Sequence, residues 1–413
     1  MNELQLATGN YFLERLPKTE KGDLRAWDAA DELLIHTLFE DSNTKHRSHL
    51  NGTLENPQNP ILIINDSFGV LACALHQTPR HSWGDSYLSH LAARDNLNKN
   101  ALNQDNYQEI HSSEDLKQNY DLVIIKIPKT LGLLEDQLAR LKPHINADTI
   151  IIASAMSKHI HTSTLKIFEK YIGTTTTSRA TKKARLIFTK NDNENSHPSP
   201  FPKTIRDNTL ALNLINYANV FAKDKLDIGA RFMLDQLKNC PNATHIVDLG
   251  CGNGVLGTMA QRLQPQAHIS FLDESYAAVK SAHESYLLQS SLVEDSSSDN
   301  ELFKNQDESN VSFYVSDCFN QFDAAPRYGK KTNKKIDLIL CNPPFHQNHS
   351  IGDHIAWQML KQSQERLEKD GEIWVVGNRH LGYHTKLKKL FGNCKTISSN
   401  KKFVVLASTK TTI

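Results

Sequence analysis

An Asn-Pro-Pro-aromatic turn is the strongest chemical signal in this sequence. It consists of Asn342, Pro343, Pro344 and Phe345, and it directly follows an apolar run. The Asn342 side-chain carbonyl and a backbone carbonyl are expected to accept hydrogen bonds from a planar amino group, which stabilises charge that develops on its nitrogen. Pro343 and Pro344 fix the turn and remove competing N–H donors, and Phe345 offers a ring for base stacking. We therefore predict that all four residues are catalytic.

A glycine-rich turn upstream predicts a nucleotide-like cofactor. Asp248, Gly250, Gly252 and Gly254 form an Asp-x-Gly-x-Gly-x-Gly pattern between a predicted strand and a predicted helix. Glycine adopts positive φ angles and lets the backbone approach a ligand. In a doubly wound sheet, such a turn lies at the carboxyl end of the first strand, where ligands bind. The acid Asp273, nineteen residues after Gly254, is expected to bind ribose hydroxyls.

NAD and S-adenosylmethionine both fit this pattern, and two observations favour S-adenosylmethionine. Asp248 would repel a pyrophosphate but suits the positively charged amino-acid end of the methyl donor. NAD would also leave the turn at Asn342 without a role. Asp317, after the predicted strand Val311–Val315, is expected to bind the adenine amine, with a backbone donor from Cys318. The two turns together predict S-adenosylmethionine-dependent methylation of a nitrogen, with Asn342 next to the donor.

The composition suits a soluble protein of two or three domains. The chain has 413 residues, of which 39% are hydrophobic and 23% are charged. No apolar run approaches the roughly 20 residues of a membrane span, and no secretory signal is visible. The six cysteines are scattered without a CxxC pair, which fits a reducing cytosol and argues against a zinc site. We expect a cytoplasmic monomer that binds no metal and no membrane.

The C-terminal segment is the most basic region of a chain whose net charge is only +1. Residues 371–413 contain eight Lys and Arg residues against one acid, with aromatic residues between them. Such local positive charge is typical of phosphate binding, although a solvated helix face is the alternative. We predict RNA contacts at Phe345 and at seven basic residues: Arg379, His380, Lys386, Lys388, Lys389, Lys401 and Lys402.

The two halves of the chain have similar patterns. Gly69 follows the apolar run Ile61–Ile64 and stands 185 positions before Gly254, and Asp121 stands 216 positions before Asp337. The acidic, serine-rich segment at residues 290–310 roughly accounts for the extra length. Alternating strand and helix patterns predict parallel sheets with helices on both faces. We expect an α/β protein with two tandem Rossmann-like methyltransferase domains that arose by internal duplication.

The N-terminal copy is predicted to be degenerate. It has Asn65 and Ser67 in place of Gly250 and Gly252, and Lys126 in the counterpart of the catalytic turn. Its predicted role is therefore a scaffold or a grip on the substrate. Polar turn formers and three prolines predict a linker between the domains. The predicted boundaries are 1–189 for the degenerate domain, 190–205 for the linker and 206–413 for the catalytic domain.

A set of sequence blocks along the chain carries a resemblance to a known family: residues 26–32, 62–70, 126–130, 160–164, 226–232, 248–254, 341–346, 378–381 and 401–405. On these blocks the chain resembles the two-domain ribosomal RNA guanine-N2 methyltransferases of bacteria, and the large-subunit enzymes more closely than the small-subunit ones. The resemblance implies methylation of the exocyclic N2 amine of a specific guanine in 23S ribosomal RNA, with Asn342 catalytic and the first domain helping to hold RNA. Its main departure is the acidic segment at 290–310.

Three alternatives stay open at this point. The Asn-Pro-Pro-aromatic turn also occurs in enzymes that act on adenine amines and on glutamine amides, so a protein glutamine N-methyltransferase is a second hypothesis. A small-subunit 16S RNA enzyme is another. A non-catalytic RNA-binding factor with a vestigial cofactor site is the hypothesis from a different class, and the intact Asn342 and Gly250 argue against it.

Overall fold

The structure is a computed structural model that describes residues 3–6, 8–18, 24–41, 47–55, 57–220, 225–291, 308–344 and 349–411. The chain divides into two compact units, Met1–Phe201 and Pro202–Ile413. Residues 292–307 of the predicted acidic segment lie outside the described residues, and so does Phe345. In the described part, no helix is both long and apolar enough to cross a membrane.

The N-terminal unit alternates strands and helices, as its sequence pattern predicts. Its elements in chain order are β1 (Glu3–Leu6), β2 (Gly9–Phe12), α1 (Ala29–Phe39), α2 (Arg47–Glu55), β3 (Ile61–Ile64), α3 (Val70–Ala74), β4 (Arg80–Gly84), α4 (Tyr87–Lys99), β5 (Tyr107–His111), β6 (Leu122–Lys126), α5 (Leu131–Leu141), β7 (Ile150–Met156), α6 (Thr162–Tyr171), β8 (Thr175–Thr177) and β9 (Ala184–Thr189).

The C-terminal unit begins with a two-stranded hairpin and then alternates in the same way. Its elements are β10 (Lys203–Asp207), β11 (Leu212–Asn216), α7 (Ile228–Leu234), β12 (His245–Leu249), α8 (Val255–Leu263), β13 (His268–Asp273), α9 (Tyr276–Ser291), β14 (Val311–Val315), β15 (Tyr328–Gly329), β16 (Ile336–Cys341), α10 (His349–Arg366), β17 (Leu367–Asn378), α11 (Tyr383–Phe391), β18 (Lys395–Ser399) and β19 (Phe403–Thr409). Strand β10 includes residues 203–205, which the sequence pattern predicts to be part of the linker.

Each unit has one large mixed sheet among its described residues. The strand order is β5-β4-β3-β6-β7-β9-β8 in the N-terminal unit and β15-β14-β13-β12-β16-β17-β19-β18 in the C-terminal unit. Apart from the short edge strand β15, the two orders correspond strand for strand. The five strands from β5 to β7, and those from β14 to β17, are parallel, whereas the last two strands of each sheet pair antiparallel. The prediction of parallel sheets was therefore wrong at this edge of each sheet, and also at β15, which pairs antiparallel with β14.

Both faces of the C-terminal sheet are buried, which explains its continuous apolar strands. One face packs Leu340, Trp374 and Val376 against α7 and α8, and the other packs Cys341 and Val375 against α10 and α11. The central strand β12 has β13 on one side and β16 on the other. The strand order reverses here, and in open α/β sheets ligands bind beyond the carboxyl ends of the strands at this point.

Candidate active site

Three glycines shape the turn that connects β12 to α8. Gly250, Gly252 and Gly254 have φ angles of 73°, 55° and 78°, a region that glycine alone enters without strain. A Cβ on Gly254 would lie 2.9 Å from the Cβ of Ala282, so this glycine lets helix α9 pack closely. A Cβ on Gly252 would meet no described atom within 4 Å. The backbone at Gly252 is therefore open to a ligand, as the cofactor prediction requires.

Asp248 holds this turn from inside the sheet. Its side chain is 1% exposed, and one carboxyl oxygen accepts a hydrogen bond of 2.8 Å from the Gly257 N–H in α8. Burial raises the pKa of Asp248 to about 8; the Gly257 hydrogen bond opposes the rise and the charge on Asp273 adds to it. Asp248 therefore ties the strand to the helix. Its predicted contact with the amino-acid end of the donor stays a prediction.

Asp273 ends β13 and stands beside the glycine turn. Its Oδ2 atom accepts a hydrogen bond of 3.0 Å from the Gly252 N–H, and its Oδ1 atom accepts one of 3.0 Å from the Ser275 N–H. The register that pairs Leu249 with Leu272 brings the two strand ends together. The structure thus places an acid next to the open backbone at Gly252, which suits a ligand with hydroxyl groups.

The Asn342 side chain is fixed at one end and unpaired at the other. It directly follows β16, and its Nδ2 donates a hydrogen bond of 3.1 Å to Oδ2 of Asp227. A carboxylate that accepts this bond fixes which end of the amide is nitrogen. The Asn342 Oδ1 atom is buried and has no hydrogen-bond partner among the described residues. An unpaired buried carbonyl costs about 1–3 kcal/mol, so this oxygen indicates the place of an external donor.

Asp227 was not among the predicted site residues. The sequence at 227–231 predicts either a lead-in segment that folds over the cofactor or the cap of a packed helix. The structure makes Asp227 the N-cap of α7, where it also accepts a hydrogen bond of 2.8 Å from Ala230 N–H. Asp before a helix is a recognisable capping signal. No local signal could have joined Asp227 to Asn342, which is 115 residues away.

The rest of the predicted catalytic turn is described only in part. Pro343 is buried and Pro344 is half-buried, so they form a rigid exit from β16. Phe345 lies outside the described residues, and its predicted stacking on a base stays a prediction.

Asp317 and Cys318 lie in the loop after β14. Both Asp317 carboxylate oxygens lie 3.0 Å from the Gln358 Nε2 donor, and Asn320 Nδ2 donates to Oδ2 at 2.7 Å. Cys318 has a φ of 51°, and burial raises the pKa of its thiol. The protein's own amides therefore orient the Asp317 carboxylate. Its role and that of the Cys318 backbone in adenine binding stay predictions.

The structure divides the predicted RNA-binding residues into two groups. Arg379, His380, Lys401 and Lys402 are exposed and lie together, because the Arg379 N–H donates a hydrogen bond of 3.0 Å to the Lys402 carbonyl. This group is at the carboxyl end of β17. The second group lies on α11, where Tyr383, Leu387 and Phe391 are buried. Its members are Lys386, Lys388 and Lys389.

The corresponding edge of the N-terminal sheet is occupied by its own side chains. Lys126 ends β6, and its Nζ lies 2.6 Å from Asp31 Oδ1 and 3.3 Å from Asp28 Oδ1. Asp28 is the N-cap of α1. Asn65, with a φ of 63°, exchanges two hydrogen bonds of 2.9 and 2.8 Å with Gln137. An ion pair and an amide pair therefore fill the positions where the C-terminal unit has an open turn.

A cluster of three side chains in the N-terminal unit has a composition that suits a metal. His90, Glu109 and His111 bring one ligand atom each to within 4.8 Å of one another. The Arg94 guanidinium is 2.5 Å from the Glu109 carboxylate, so the one anionic ligand is already neutralised. The prediction that the protein binds no metal stays a prediction.

A glycine turn at the switch point of such a sheet, with an acid at the end of the next strand, is the arrangement of S-adenosylmethionine-dependent methyltransferases. Residues 211–407 match the family described as Methyltransferase small domain, and residues 1–193 match the RLMG N-terminal domain. The chain belongs to the ribosomal RNA large subunit methyltransferase G family, and its methyl donor is S-adenosylmethionine.

Two relatives with this name support the assignment. The Pseudoalteromonas translucida protein is 41% identical over 416 residues, which cover 99% of this chain and 98% of the relative. The Colwellia psychrerythraea protein is 39% identical over 415 residues, with 97% of each chain covered. Among solved structures, the T. Thermophilus 16S rRNA N2 methyltransferase RsmC, in complex with AdoMet and guanosine, has a TM-score of 0.70 at 17% identity and covers 99% of this chain and 97% of its own. That likeness shows the same fold.

Proposed function

We propose that this protein transfers a methyl group from S-adenosylmethionine to the exocyclic N2 amine of a specific guanine in 23S ribosomal RNA. The observation that carries the proposal is the Asn342 amide, whose nitrogen is anchored on Asp227 and whose buried oxygen has no partner among the described residues. The names of the relatives support ribosomal RNA of the large subunit as the substrate class.

The site residues supply what this reaction needs. The N2 lone pair is delocalised into the purine ring, so the amine is a poor nucleophile until it is drawn towards pyramidal geometry. The Asn342 oxygen accepts one N2–H and stabilises the charge that develops on nitrogen. Pro343 and Pro344 keep the neighbouring backbone carbonyl fixed. No strong general base is required, because the proton becomes acidic once the nitrogen is methylated.

The turn between β12 and α8 fits the donor. S-adenosylmethionine, when bound, supplies an electrophilic methyl group. The open backbone at Gly252 and the neighbouring Asp273 carboxylate form a binding site for its ribose. Gly250, which has no side chain, lets the backbone of the turn lie close to the ligand. Asp248 stabilises the turn, and Asp317 with Cys318 is assigned to the adenine end. In-line placement of methyl and amine then provides the proximity gain.

The N-terminal unit is proposed to be a degenerate copy of the same Rossmann-like domain. The matching strand order and the filled turn at Asn65 and Lys126 support an origin by duplication followed by loss of the cofactor site. Its proposed role is to help bind RNA, as do the basic residues near Arg379 and Lys402. We further propose that the protein acts as a monomer in the cytoplasm without a metal.

Labelled methyl transfer tests the proposal. Full-length protein is incubated with tritiated S-adenosylmethionine and ribosomes or ribosomal RNA from a strain that lacks the gene. The expected result is label in 23S RNA as N2-methylguanine, abolished by Asn342→Ala and retained by Asn239→Ala at an exposed position.

The other outcomes select the alternatives. Label in 16S RNA would favour a small-subunit enzyme, and label in protein would favour a glutamine N-methyltransferase. A chain that binds RNA but shows no calorimetric binding of S-adenosylmethionine would be a non-catalytic factor.

A further inference from the structure

A second asparagine has an unpaired side-chain oxygen. Asn378 is the last residue of β17, and its Oδ1 atom is buried without a hydrogen-bond partner among the described residues. In the described part of the C-terminal unit, Asn342 and Asn378 are the two side-chain amides with such an oxygen. Leaving a carbonyl in this state destabilises the folded protein, so we expect a donor from outside the described residues.

The strand register places the two asparagines at one edge of the sheet. Strands β16 and β17 are parallel neighbours, and Cys341 pairs with Val375. Asn342 is one residue beyond this pair and Asn378 three residues beyond it. Both residues therefore lie at the carboxyl ends of adjacent strands, where the ligand of such a sheet binds.

The packing also places them on one face. Side chains alternate between the faces of a strand, and Trp374 and Val376 pack in the same cluster as Leu340 on the α7 side of the sheet. Asn378 follows Val376 by two residues and faces the same side. Asn342 belongs to that side as well, because its amide is held by Asp227 at the start of α7.

We infer that Asn378 reads the base, with its Oδ1 accepting the N1–H of the target guanine. Guanine presents two adjacent donors on this edge, the N1–H and the N2 amine, which two neighbouring amide oxygens can accept. Adenine presents a bare N1 acceptor and no N2 amine. A buried site built to accept a hydrogen bond rejects a base that lacks the donor, because its carbonyl is then left unpaired. This inference rests on the proposed methylation of N2.

The test uses RNA in which 2-aminopurine replaces the target guanine, after that guanine has been mapped by mass spectrometry. 2-Aminopurine keeps the N2 amine but has no N1–H. Wild-type protein is expected to methylate guanine with a kcat/KM about tenfold to a hundredfold above that for 2-aminopurine. Asn378→Leu, which has a similar branched shape and no acceptor, is expected to reduce this ratio to near one, mainly by slowing methylation of guanine.

Asn378→Asp retains an acceptor and is expected to keep most of the preference. Calorimetric binding of S-adenosylmethionine and equilibrium binding of both RNAs are measured for each variant, so that a folding defect is recognised independently of activity. If Asn378→Leu keeps the wild-type ratio, Asn378 does not read N1. If Leu does not yield folded protein, loss of the preference in Asn378→Asp would also overturn the inference. Absence of methylation of the guanine RNA by wild-type protein would instead refute the proposed function.

Discussion

The carboxyl-end loops of the two sheets occupy equivalent positions, because the strand orders match. Their side chains differ in whether their hydrogen-bonding groups are paired within the protein. In the C-terminal unit, the turn from Gly250 to Gly254 leaves backbone exposed, and Asn342 keeps one oxygen unpaired. In the N-terminal unit, Asn65 bonds to Gln137 and Lys126 is held by two carboxylates. At these residues the C-terminal edge retains an unpaired acceptor, whereas the side chains of the N-terminal edge pair with one another.

The two edges share one structural feature, an aspartate N-cap that contacts the end of a central strand, so the difference between them lies in the residue that it contacts. Asp28 and Asp227 are both N-caps, and each contacts the residue that directly follows or ends a central strand. When the partner is Lys126, the contact is an ion pair. When the partner is Asn342, the contact is a hydrogen bond from the amide nitrogen, and the amide oxygen has no partner among the described residues. The identity of this one residue therefore separates an internally satisfied edge from one poised for a substrate.

The largest effect is expected when Asn342 of the C-terminal edge is replaced by lysine, the residue found at the corresponding place in the N-terminal edge. Asn342→Lys is expected to fold, because lysine can pair with Asp227 as Lys126 pairs with Asp28. Methyl transfer should fall about a thousandfold, because the accepting oxygen is lost and a cation faces a nitrogen that becomes positive. Transfer of labelled methyl groups at saturating donor measures the effect, and Asn239→Lys is the exposed control. Activity within tenfold of wild type would show that the oxygen is dispensable.

The second prediction concerns the ion pair that fills the N-terminal edge. Lys126→Met should lower the free energy of unfolding of this unit by about 3 kcal/mol, because it leaves the buried Asp31 carboxylate without its cation. The matched control is Lys170→Met, which removes the more exposed pair with Glu135 and should cost less than about 1 kcal/mol. Urea unfolding with amide exchange in β6 as the probe measures both. Equal losses for the two variants would contradict the prediction.

A third experiment compares the two equivalent glycines. A Cβ on Gly69 would lie 2.4 Å from the Cα of Ala93, and one on Gly254 would meet Ala282 at 2.9 Å. Each change to alanine should destabilise its unit by about 2 kcal/mol, from the left-handed backbone and the crowding.

Only Gly254→Ala should weaken calorimetric binding of S-adenosylmethionine. Gly52→Ala is the control, because a Cβ there meets nothing described within 4 Å on helix α2. Equal weakening of donor binding by Gly69→Ala would mean that the N-terminal turn takes part in the cofactor site.

The last prediction concerns a pH dependence from Asp248. Its pKa is about 8 in the folded protein and about 3.8 without burial. The unfolded chain therefore releases this proton first, so the contribution of Asp248 to stability is fully present below about pH 4 and is lost as the pH rises through about 8.

Asp248→Asn keeps the hydrogen-bond acceptor for Gly257 without the ionisation. The free energy of unfolding of this variant, relative to wild type, should rise by roughly 1 kcal/mol per pH unit between about pH 5 and pH 8. Urea unfolding across this range measures it, and a constant difference would show that the carboxyl does not titrate there.

Much of the fold follows from local patterns. Val311–Val315 is a strand with the predicted bounds, the glycine turn joins a strand to helix α8 as predicted, and the apolar run before Asn342 forms β16. Apolar runs next to glycine turns are sufficient for this. The antiparallel edge of each sheet was not predicted, because strand direction depends on contacts far apart in sequence, such as the pairing of Val376 with Val405.

The sequence predicts those parts of the site that are formed by residues close together in the chain. The positions of Gly252 and Asn342 follow from the sequence, but their partners do not. Asp227 reaches Asn342 across 115 residues, and the pairing of Asn65 with Gln137 spans 72. Unpaired oxygens such as that of Asn378 are also invisible in a sequence, because they result from what packing leaves out.

The bond from Asn342 to Asp227 has a consequence for heat inactivation. The carboxylate that aligns the amide is also the cap of a helix of seven residues, and helix ends fray before the interior of a sheet melts. Warming should therefore misalign the amide while the circular dichroism of the protein is still native. Catalysis would then fail some degrees below the melting temperature, and added donor alone would not restore it.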